Sequence, residues 1–236
     1  MISIIIPAYN EEENILRIDT ELTPVLYSLG SPYELLLIND GSKDHTEEYA
    51  KLLKNPYVKI ISHASNQGLG RAVRTGIQHA QGEFLVLYEA DFTWNPEYIK
   101  QLLEAQKKYQ ADCVIGSHFH KQGKLQGHGK YSLRIFLSKG VNFLYQILLG
   151  SKIASISSLF RVYRAESIKK LMLTSTGFNI NAEILVKLLR NKAKIIEVPV
   201  ILTKRKFGKS KINLVASTLN HLILLSKVIQ WKLFKG

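Results

Sequence analysis

LVLYEADFTWNPEYI, residues 85–99, runs four apolar residues into Glu-Ala-Asp and then, past Asn95-Pro96, into a helical spacing. Moving an unpaired carboxylate out of water costs several kcal/mol. The apolar run must therefore surface at Glu89 and Asp91, or meet a positive partner there. Pro96 suits the first turn of a helix that continues through Gln110. The apolar ADCVIGS, residues 111–117, then reads as another strand. Strand, helix, strand in this order points to a mostly parallel sheet whose strands are separated by helices.

The same alternation extends toward the N-terminus. SIIIPAYN reads as a short buried strand ending at Pro7, and the helical spacing of EEENILRIDTELTPVLYSL carries its acids at the start, where the helix dipole favours them. YELLLINDGS, VKIISHASN and EFLVLYEAD are further strands, separated by the helices KDHTEEYAKLLKN and GLGRAVRTGIQHAQG. Continuous apolar strands of this kind predict an α/β fold: a Rossmann-like, mostly parallel sheet with helices on both faces. Ligands of such sheets bind outside the carboxyl ends of the strands. Pro7 to Glu11, Asn39 to Ser42, Asn66 to Gly70 and Glu89 to Asp91 all fall there.

Beyond residue 117 the pattern loosens. HFHKQGKLQGHGKYS is polar and expected to be mobile, LRIFLSKGVNFLYQILLG is helical, and SSLFRVYRAESIKKLML returns a short strand and a helix. GFNINAEILVKLLRNKAKIIEVPVIL gives a helix and then one strand, followed by the basic loop TKRKFGKSK. The last segment, INLVASTLNHLILLSKVIQWKLFKG, is an amphipathic helix with Asn213, Ser217, Asn220 and Lys227 along one side. It either lies in a membrane interface or packs on the sheet or a second subunit.

The 236 residues suffice for one full domain, and the single cysteine, Cys113, excludes an internal disulfide framework; its apolar surroundings make it a core residue. No signal peptide and no run of eighteen uncharged apolar residues is visible, so the expected location is the cytoplasm or the cytoplasmic face of a membrane. The 32 basic and 19 acidic residues give a net charge of +13. Residues 1–116 carry 10 basic and 16 acidic, residues 117–186 carry 10 and 2, and residues 187–236 carry 12 and 1. An acidic half preceding a basic half points either to an anionic partner or to a solvated lysine-rich surface.

Each strand-end motif has a plain reading. Glu-x-Asp is a strand surfacing, Asp40-Gly41 an ordinary turn, and the glycines of SNQGLGRA a helix start. Taken together they suit phosphate chemistry. Two oxygen ligands fit a hard ion such as Mg²⁺ or Mn²⁺, Asp40 can accept from a ribose or base, and the glycines admit close backbone approach.

In this order, IIIPAYNEEENI, LLINDGSKDHT, NQGLGRAVRTGI and LYEAD resemble the family 2 glycosyltransferases, whose fold is GT-A. VIGSHFHKQGK, LSKGVNFLYQILLG, SSLFRVYRAE, GFNINAEILVKLLRNKAKIIEVPV and RKFGKSK are similar to the dolichol-phosphate mannose synthase branch, which transfers sugars to polyprenyl phosphates. The resemblance covers residues 2 to about 215. It implies that Pro7, Tyr9, Glu11, Ile38 and Asp40 line a nucleotide pocket and that Ala90 lies beside the diphosphate. It also implies that Glu89 and Asp91 hold Mn²⁺ or Mg²⁺, with Thr93 where the branch has a Gln ligand. Arg205 and Lys211 would act with Asp91 in the reaction by contacting phosphates. His118, where the branch tends to have Arg, would face the acceptor phosphate with Arg134 and Ser138. The implied organisation is a catalytic domain over 1–211, divided into a nucleotide-sugar half (1–116) and an acceptor half (117–211), followed by the helix of 212–236.

The implied reaction is inverting transfer of a hexose, mannose foremost, from a nucleotide sugar to a polyprenyl or dolichyl phosphate. A lipid phosphate is already anionic and needs no general base, only positioning and charge compensation. The alternative is a UDP-sugar transferase, for glucose or GlcNAc, acting on the same lipids or on a polysaccharide hydroxyl. A hydroxyl acceptor calls for a base beyond residue 117, where the acids are Glu166, Glu183 and Glu197. The expected partners are GDP-mannose or a UDP-sugar, a polyprenyl phosphate, the membrane surface and a membrane-anchoring subunit. The last alternative is a nucleic-acid-binding protein using the basic half, but nucleic acid is not among the expected partners, since RKFGKSK interleaves only one aromatic with its cations.

Overall fold

Ile2, Ile4 and Ile6 of the first strand pack into one apolar layer and Ile5 into another, so the strand is covered on both faces. This is why its sequence is a continuous apolar run rather than an alternation. The computed structural model describes residues 1–126, 133–208, 210–211 and 213–233, with side chains throughout these except at 133–138, 214 and 233.

The strands in chain order are β1 (Ile2–Ala8), β2 (Tyr33–Asn39), β3 (Val58–Ser62), β4 (Phe84–Leu87), β5 (Cys113–Ser117), β6 (Lys124–Leu125), β7 (Arg161–Arg164), β8 (Ile195–Pro199) and β9 (Ile201–Leu202). Seven form one sheet in the order β3-β2-β1-β4-β7-β5-β8, while β6 and β9 pair separately. Only β7 runs against its neighbours in the large sheet. The mostly parallel sheet is therefore as expected, and both halves of the chain share it.

The helices are α1 (Glu12–Ile15), α2 (Thr23–Tyr27), α3 (Thr46–Lys51), α4 (Leu69–His79), α5 (Tyr98–Tyr109), α6 (Leu133–Leu149), α7 (Ala165–Lys169), α8 (Ile180–Arg190) and α9 (Leu214–Leu233). Leu22, Leu26, Ile99, Leu102 and Leu103 cover one face of the sheet; α4 and α8 cover the other through residues such as Ala72, Val73, Ile184 and Leu185. Each large apolar side chain buried in this way contributes about 1.5–3 kcal/mol. Cys113 lies in this core with its thiol pushed up to about 12 by burial.

Three local readings change. The first expected helix is divided into α1, a π-helical turn at Ile18–Leu22 and α2. Pro24 enters at the start of α2 and cannot donate to the preceding turn, which widens there. Pro96 lies in the turn just before α5, where Asn95 Oδ1 accepts from the Glu97 amide. The single strand expected after α8 is divided at Pro199-Val200: β8 stays with β5 and β9 leaves to pair with β6, which gives the polar segment after β5 a short strand of its own.

Arg161 is fully buried in β7 and explains how the loop after α6 is held. Its guanidinium donates to the carbonyls of Ile156 (2.6 Å), Asn181 (2.9 Å) and Ser155 (3.3 Å). Glu197 Oε1 and Oε2 accept from the amides of Ser155 and Ala154, each at 2.9 Å. A cation and an anion thus grip the same short segment through its carbonyls and amides.

The polarity of α9 departs from that of an ordinary surface helix. Leu224, Leu225 and Val228 are buried, and Arg190 of α8 stacks on Trp231 at 4.4 Å. Ser217, Thr218 and His221 face a cavity, whereas Val215, Leu219, Leu222, Ile223 and Ile229 are exposed. Phe143, Leu144 and Ile147 of the neighbouring α6 are exposed as well. Among the described residues no helix is long and apolar enough to cross a membrane.

Candidate active site

A cavity of about 670 Å³ opens at the carboxyl ends of the strands. Its walls bring together Pro7, Tyr9 and Glu11 after β1, Asp40 after β2, and Glu89, Ala90, Asp91 and Thr93 after β4; His118, Arg205 and Lys211 line it as well. Eleven sequence-selected residues therefore meet in one place. Ile38 does not join them: its side chain is fully buried on the face of β2 that packs toward Ala72 and Val73 of α4. Alternation along the strand turns it into the core. Arg134 and Ser138 belong to α6, but their side chains lie outside the described residues.

The two carboxylate-bearing turns meet through one cation. Asp91 Oδ2 accepts from Arg205 Nη2 at 2.6 Å and Nε at 3.1 Å, and Arg205 Nη1 donates to Glu11 Oε1 at 3.0 Å. Lys211 Nζ lies 3.7 Å from the same Glu11 oxygen and donates to the Asn10 carbonyl at 2.6 Å. Asp91 Oδ1 accepts from the Thr93 amide (3.1 Å) and hydroxyl (2.9 Å). Thr93 thus orients Asp91, with its hydroxyl proton turned toward that carboxylate. Burial raises the Glu11 carboxyl above its usual range, against the pull of Arg205. Burial would lower Arg205, but Asp91 and Glu11 outweigh it and its pKa rises.

Both turns use left-handed backbone next to the carboxylate. Asn10 has φ 52° just before Glu11, and Phe92 has φ 53° just after Asp91. Asn tolerates this conformation; for Phe it costs about 1–2 kcal/mol. Arg17 holds the strained turn from beneath. Its guanidinium stacks on the Phe92 ring at 4.4 Å, and Nη1 donates to the Asp91 carbonyl at 3.4 Å. Nothing local in the sequence marks Arg17 for this role; its helix simply packs below a turn 74 residues away.

Asp40 is more structural than its motif implies. Its carboxylate accepts from the amides of Gln67 (3.0 Å) and Gly68 (2.8 Å) and pairs with His63 Nδ1 at 2.6 Å. It ties the start of α4 to the end of β2 while still bordering the cavity. Gly68 and Gly70 also serve the chain itself. A Cβ on Gly68 would lie 2.5 Å from the Thr176 carbonyl, and one on Gly70 would lie 2.4 Å from that of Ser175. The close backbone approach they permit is that of the 174–176 loop.

The far wall contains residues that the sequence reading passed over: Ser155, Ser157, Ser158 and Asn181, with Ser217, Thr218 and His221 of α9. The run SISS was a signal for hydroxyl groups, but their convergence depends on Arg161 and Glu197. His221 is pushed down to about 4 by burial, and Tyr145 Oη lies 3.3 Å from its Nδ1, so it is neutral near pH 7. The three acids beyond residue 117 are engaged elsewhere. Glu183 is buried among Thr174, Ser175 and Lys187, Glu197 holds the 154–155 amides, and Glu166 pairs with Arg164. None of them lines the cavity.

Among the described residues no three His, Cys, Asp or Glu side chains gather into a metal cage. The donor set nevertheless fits Mg²⁺ or Mn²⁺, which are commonly held by one or two carboxylates completed by substrate phosphates. Glu89 and Asp91 supply hard oxygens, and the contact of Asp91 with a guanidinium shows that its position already favours a cation. Glu89 Oε1 lies 3.4 Å from Trp94 Nε1, which limits its swing.

The model of glycosyl transferase family 2 matches residues 3–172. A dolichol-phosphate mannosyltransferase of Pyrococcus furiosus is 35% identical over 232 residues, 96% of this chain. The chain spans 64% of that relative's length. Glucosyl-3-phosphoglycerate synthase from Mycobacterium tuberculosis, solved with Mn²⁺, UDP and phosphoglyceric acid, superposes with a TM-score of 0.74 at 18% identity, covering 97% of this chain and 78% of its own. Staphylococcus aureus TarS 1–349 with UDP-GlcNAc gives 0.64 at 19% identity, covering 97% and 66%. Both structures share the fold.

Proposed function

The chain belongs to glycosyl transferase family 2, and on that premise we propose that it transfers a hexose, mannose foremost, from a nucleotide sugar to a polyprenyl phosphate with inversion at the anomeric carbon. The observation that carries this reading is the division of the cavity. The turns after β1, β2 and β4 supply carboxylates, with Arg205 and Lys211 against those of Glu11 and Asp91, and the wall from residues 155–158, Asn181 and α9 holds hydroxyl, amide and neutral imidazole groups without a carboxylate. Such a wall positions an acceptor without a carboxylate base, and an imidazole pushed down to about 4 is a weak one, which suits an oxyanion that is already ionised. The mannosyltransferase relative supports the same acceptor class.

The places of these residues in the cavity support the following roles. Pro7, Tyr9, Glu11, Asp40 and Ala90 border the nucleotide, and Glu89 and Asp91 hold the cation. A bound Mg²⁺ or Mn²⁺ supplies charge neutralisation for the departing nucleoside diphosphate. Arg205 and Lys211 add positive charge on the phosphates. His118, against Trp94 at 5.6 Å between ring centroids, borders the path of the acceptor phosphate. The lipid phosphate oxygen attacks the anomeric carbon as the bond to the diphosphate breaks.

A polyprenyl acceptor requires a bilayer. The exposed apolar residues of α6 and α9, beside the exposed Lys227 and Lys232, support a position on the cytoplasmic face, with α9 in the interface. A membrane-anchoring subunit would cover the same surface. Vesicle flotation of the purified chain separates the two, since a chain that needs the subunit does not float alone.

The direct test is a donor panel. Purified protein, Mn²⁺ and a polyprenyl phosphate are incubated with radiolabelled GDP-mannose, UDP-glucose or UDP-GlcNAc and extracted with organic solvent. Label in the lipid phase from GDP-mannose is the expected result. Label from a UDP-sugar replaces the donor; the solved relatives with UDP or UDP-GlcNAc give that arm its place. No lipid-phase label from any donor, with nucleotide binding intact, overturns the acceptor.

A further inference from the structure

Both oxygens of Asp91 are engaged by the chain itself: Oδ1 by Thr93, Oδ2 by the forked contact of Arg205. The same guanidinium reaches Glu11, and Lys211 stands beside that carboxylate. Glu11, Asp91, Arg205 and Lys211 therefore form a cluster of two negative and two positive charges, with the Glu89 carboxylate lining the same cavity. A divalent cation arriving alone must take Asp91 Oδ2 from the two guanidinium donors that converge on it, and even with Glu89 counted it leaves the site with excess positive charge. A cation arriving with a diphosphate meets a different balance. The phosphates restore negative charge and offer Arg205 new oxygens of matching fork geometry.

We propose that Arg205 is an internal rival of the metal at Asp91, and that its transfer from carboxylate to diphosphate couples the two ligands: metal alone is disfavoured, and metal with nucleoside diphosphate is bound cooperatively. This rests on the metal and donor sites proposed above. The surroundings suit such an exchange. Residues 203–211 are fastened at one end where the Thr203 amide and hydroxyl donate to the Thr93 carbonyl, and at the other where Lys211 donates to the Asn10 carbonyl. Between these points Gly208 adopts a left-handed conformation, φ 69°, and a Cβ there would stand 3.6 Å from Arg205 Nη1. The segment that carries Arg205 is thus attached to both carboxylate turns by bonds other than those of its guanidinium. Because the coupling is a binding free energy, it is reciprocal: the metal must raise nucleotide affinity by the same factor by which nucleotide raises metal affinity.

Mn²⁺ binding is measured by electron paramagnetic resonance and calorimetry, alone and with saturating GDP or UDP, on wild type, Arg205→Ala, Arg205→Gln and Arg205→Lys, each shown by thermal unfolding to be folded. In wild type, Mn²⁺ alone binds weakly and the better nucleotide tightens it on the order of a hundredfold. Arg205→Ala and Arg205→Gln bind Mn²⁺ alone about tenfold more tightly than wild type and lose about tenfold of the nucleotide enhancement. Arg205→Lys, which keeps the charge but cannot fork, falls between them. Tighter metal binding after removal of a positive phosphate contact is the signature, since a merely structural Arg205 would leave it unchanged or weaken it. If neither neutral variant gains Mn²⁺ affinity while wild type still shows nucleotide-dependent binding, the rivalry is overturned and the proposed site stands. If wild type binds Mn²⁺ with neither nucleotide, the site itself is overturned and the rivalry with it.

Discussion

The two carboxylate turns and the basic loop that closes on them are held in opposite ways. The turns after β1 and β4 are fixed by short-range bonds and a buried support: Glu11 by Asn14 and the Thr46 hydroxyl, Asp91 by Thr93, and Phe92 by Arg17. Past the Thr203 hydrogen bonds to the Thr93 carbonyl, the basic loop reaches the turns through charge, by way of Arg205 and Lys211. The first region is pre-organised, and the second is poised to exchange partners. Rigid carboxylates beside a movable cation are what a site needs when an anionic ligand enters with its own counterion.

The sharpest way to break this contrast is at its fixed member. Asp91→Ala removes the ligand that both the metal and Arg205 use, and transfer to the lipid phase should fall at least a hundredfold, with far-ultraviolet circular dichroism unchanged. If Asp91→Ala keeps a tenth of the activity, the turn after β4 is not the ion-binding element. The movable member should matter less. Arg205→Ala should lower kcat/KM about ten- to a hundredfold, because a charge-assisted phosphate contact contributes roughly 1.5–3 kcal/mol. Its loss should also flatten the salt dependence of nucleotide affinity, since partly exposed ion pairs are screened. Losses in the reverse order would mean that the loop, not the turn, organises the chemistry.

The contrast also explains what the sequence could disclose. The strand-end residues were legible because a buried strand forces its polar residues to its tip, and alternation with helices makes the tips converge. LYEAD and PAYNEEE are local facts of that kind, and all their selected residues meet in one cavity. Ile38 failed because strand parity, not proximity in sequence, decides which face a side chain takes. Arg17, Arg161 and the far-wall serines were not legible, because their roles depend on contacts between distant segments. In sequence Arg161 is one of two arginines in a short strand; in the fold it gathers three carbonyls. The glycines at 68 and 70 read as a phosphate cradle, yet they face a loop more than a hundred residues further along the chain. Amphipathic spacing left open what the polar side of α9 faces, because the cavity that Ser217, Thr218 and His221 line was not visible in sequence.

The acids of the second half sharpen the comparison from the other side. Glu183 is buried; Lys187 and the Ser175 and Thr174 amides overcome that burial and hold its carboxyl down at about 2. A folded pKa below the usual 4.5 contributes stability above that value, which is lost as pH falls toward 2. Glu183→Gln should therefore cost about 2–3 kcal/mol at pH 7 by denaturant unfolding, and the difference from wild type should shrink between pH 4.5 and 2. Transfer activity at a temperature where both proteins are folded should be nearly unchanged. A large activity loss without a stability loss would make Glu183 a reacting group and return the hydroxyl-acceptor reading to first place.

The smallest expected effect lies at His221, where α9 meets the far wall. Burial lowers its pKa from 6.5 to about 4, so the unfolded chain binds a proton more readily than the folded one. Stability is then fully present above 6.5 and is lost as pH falls toward 4. At pH 5.5 this one group should cost about 1.4 kcal/mol relative to neutral pH. His221→Gln keeps a polar side chain of similar reach toward Tyr145 but cannot titrate, so its unfolding free energy should lack that slope. The loss should appear first as faster hydrogen exchange in α9, ahead of the sheet, because α9 is held by one buried stripe and the stack of Trp231 on Arg190. If wild type and His221→Gln show the same slope between pH 6.5 and 4, the imidazole is already hydrated. The far wall would then be an open surface rather than the dry, neutral complement to the charged end of the cavity.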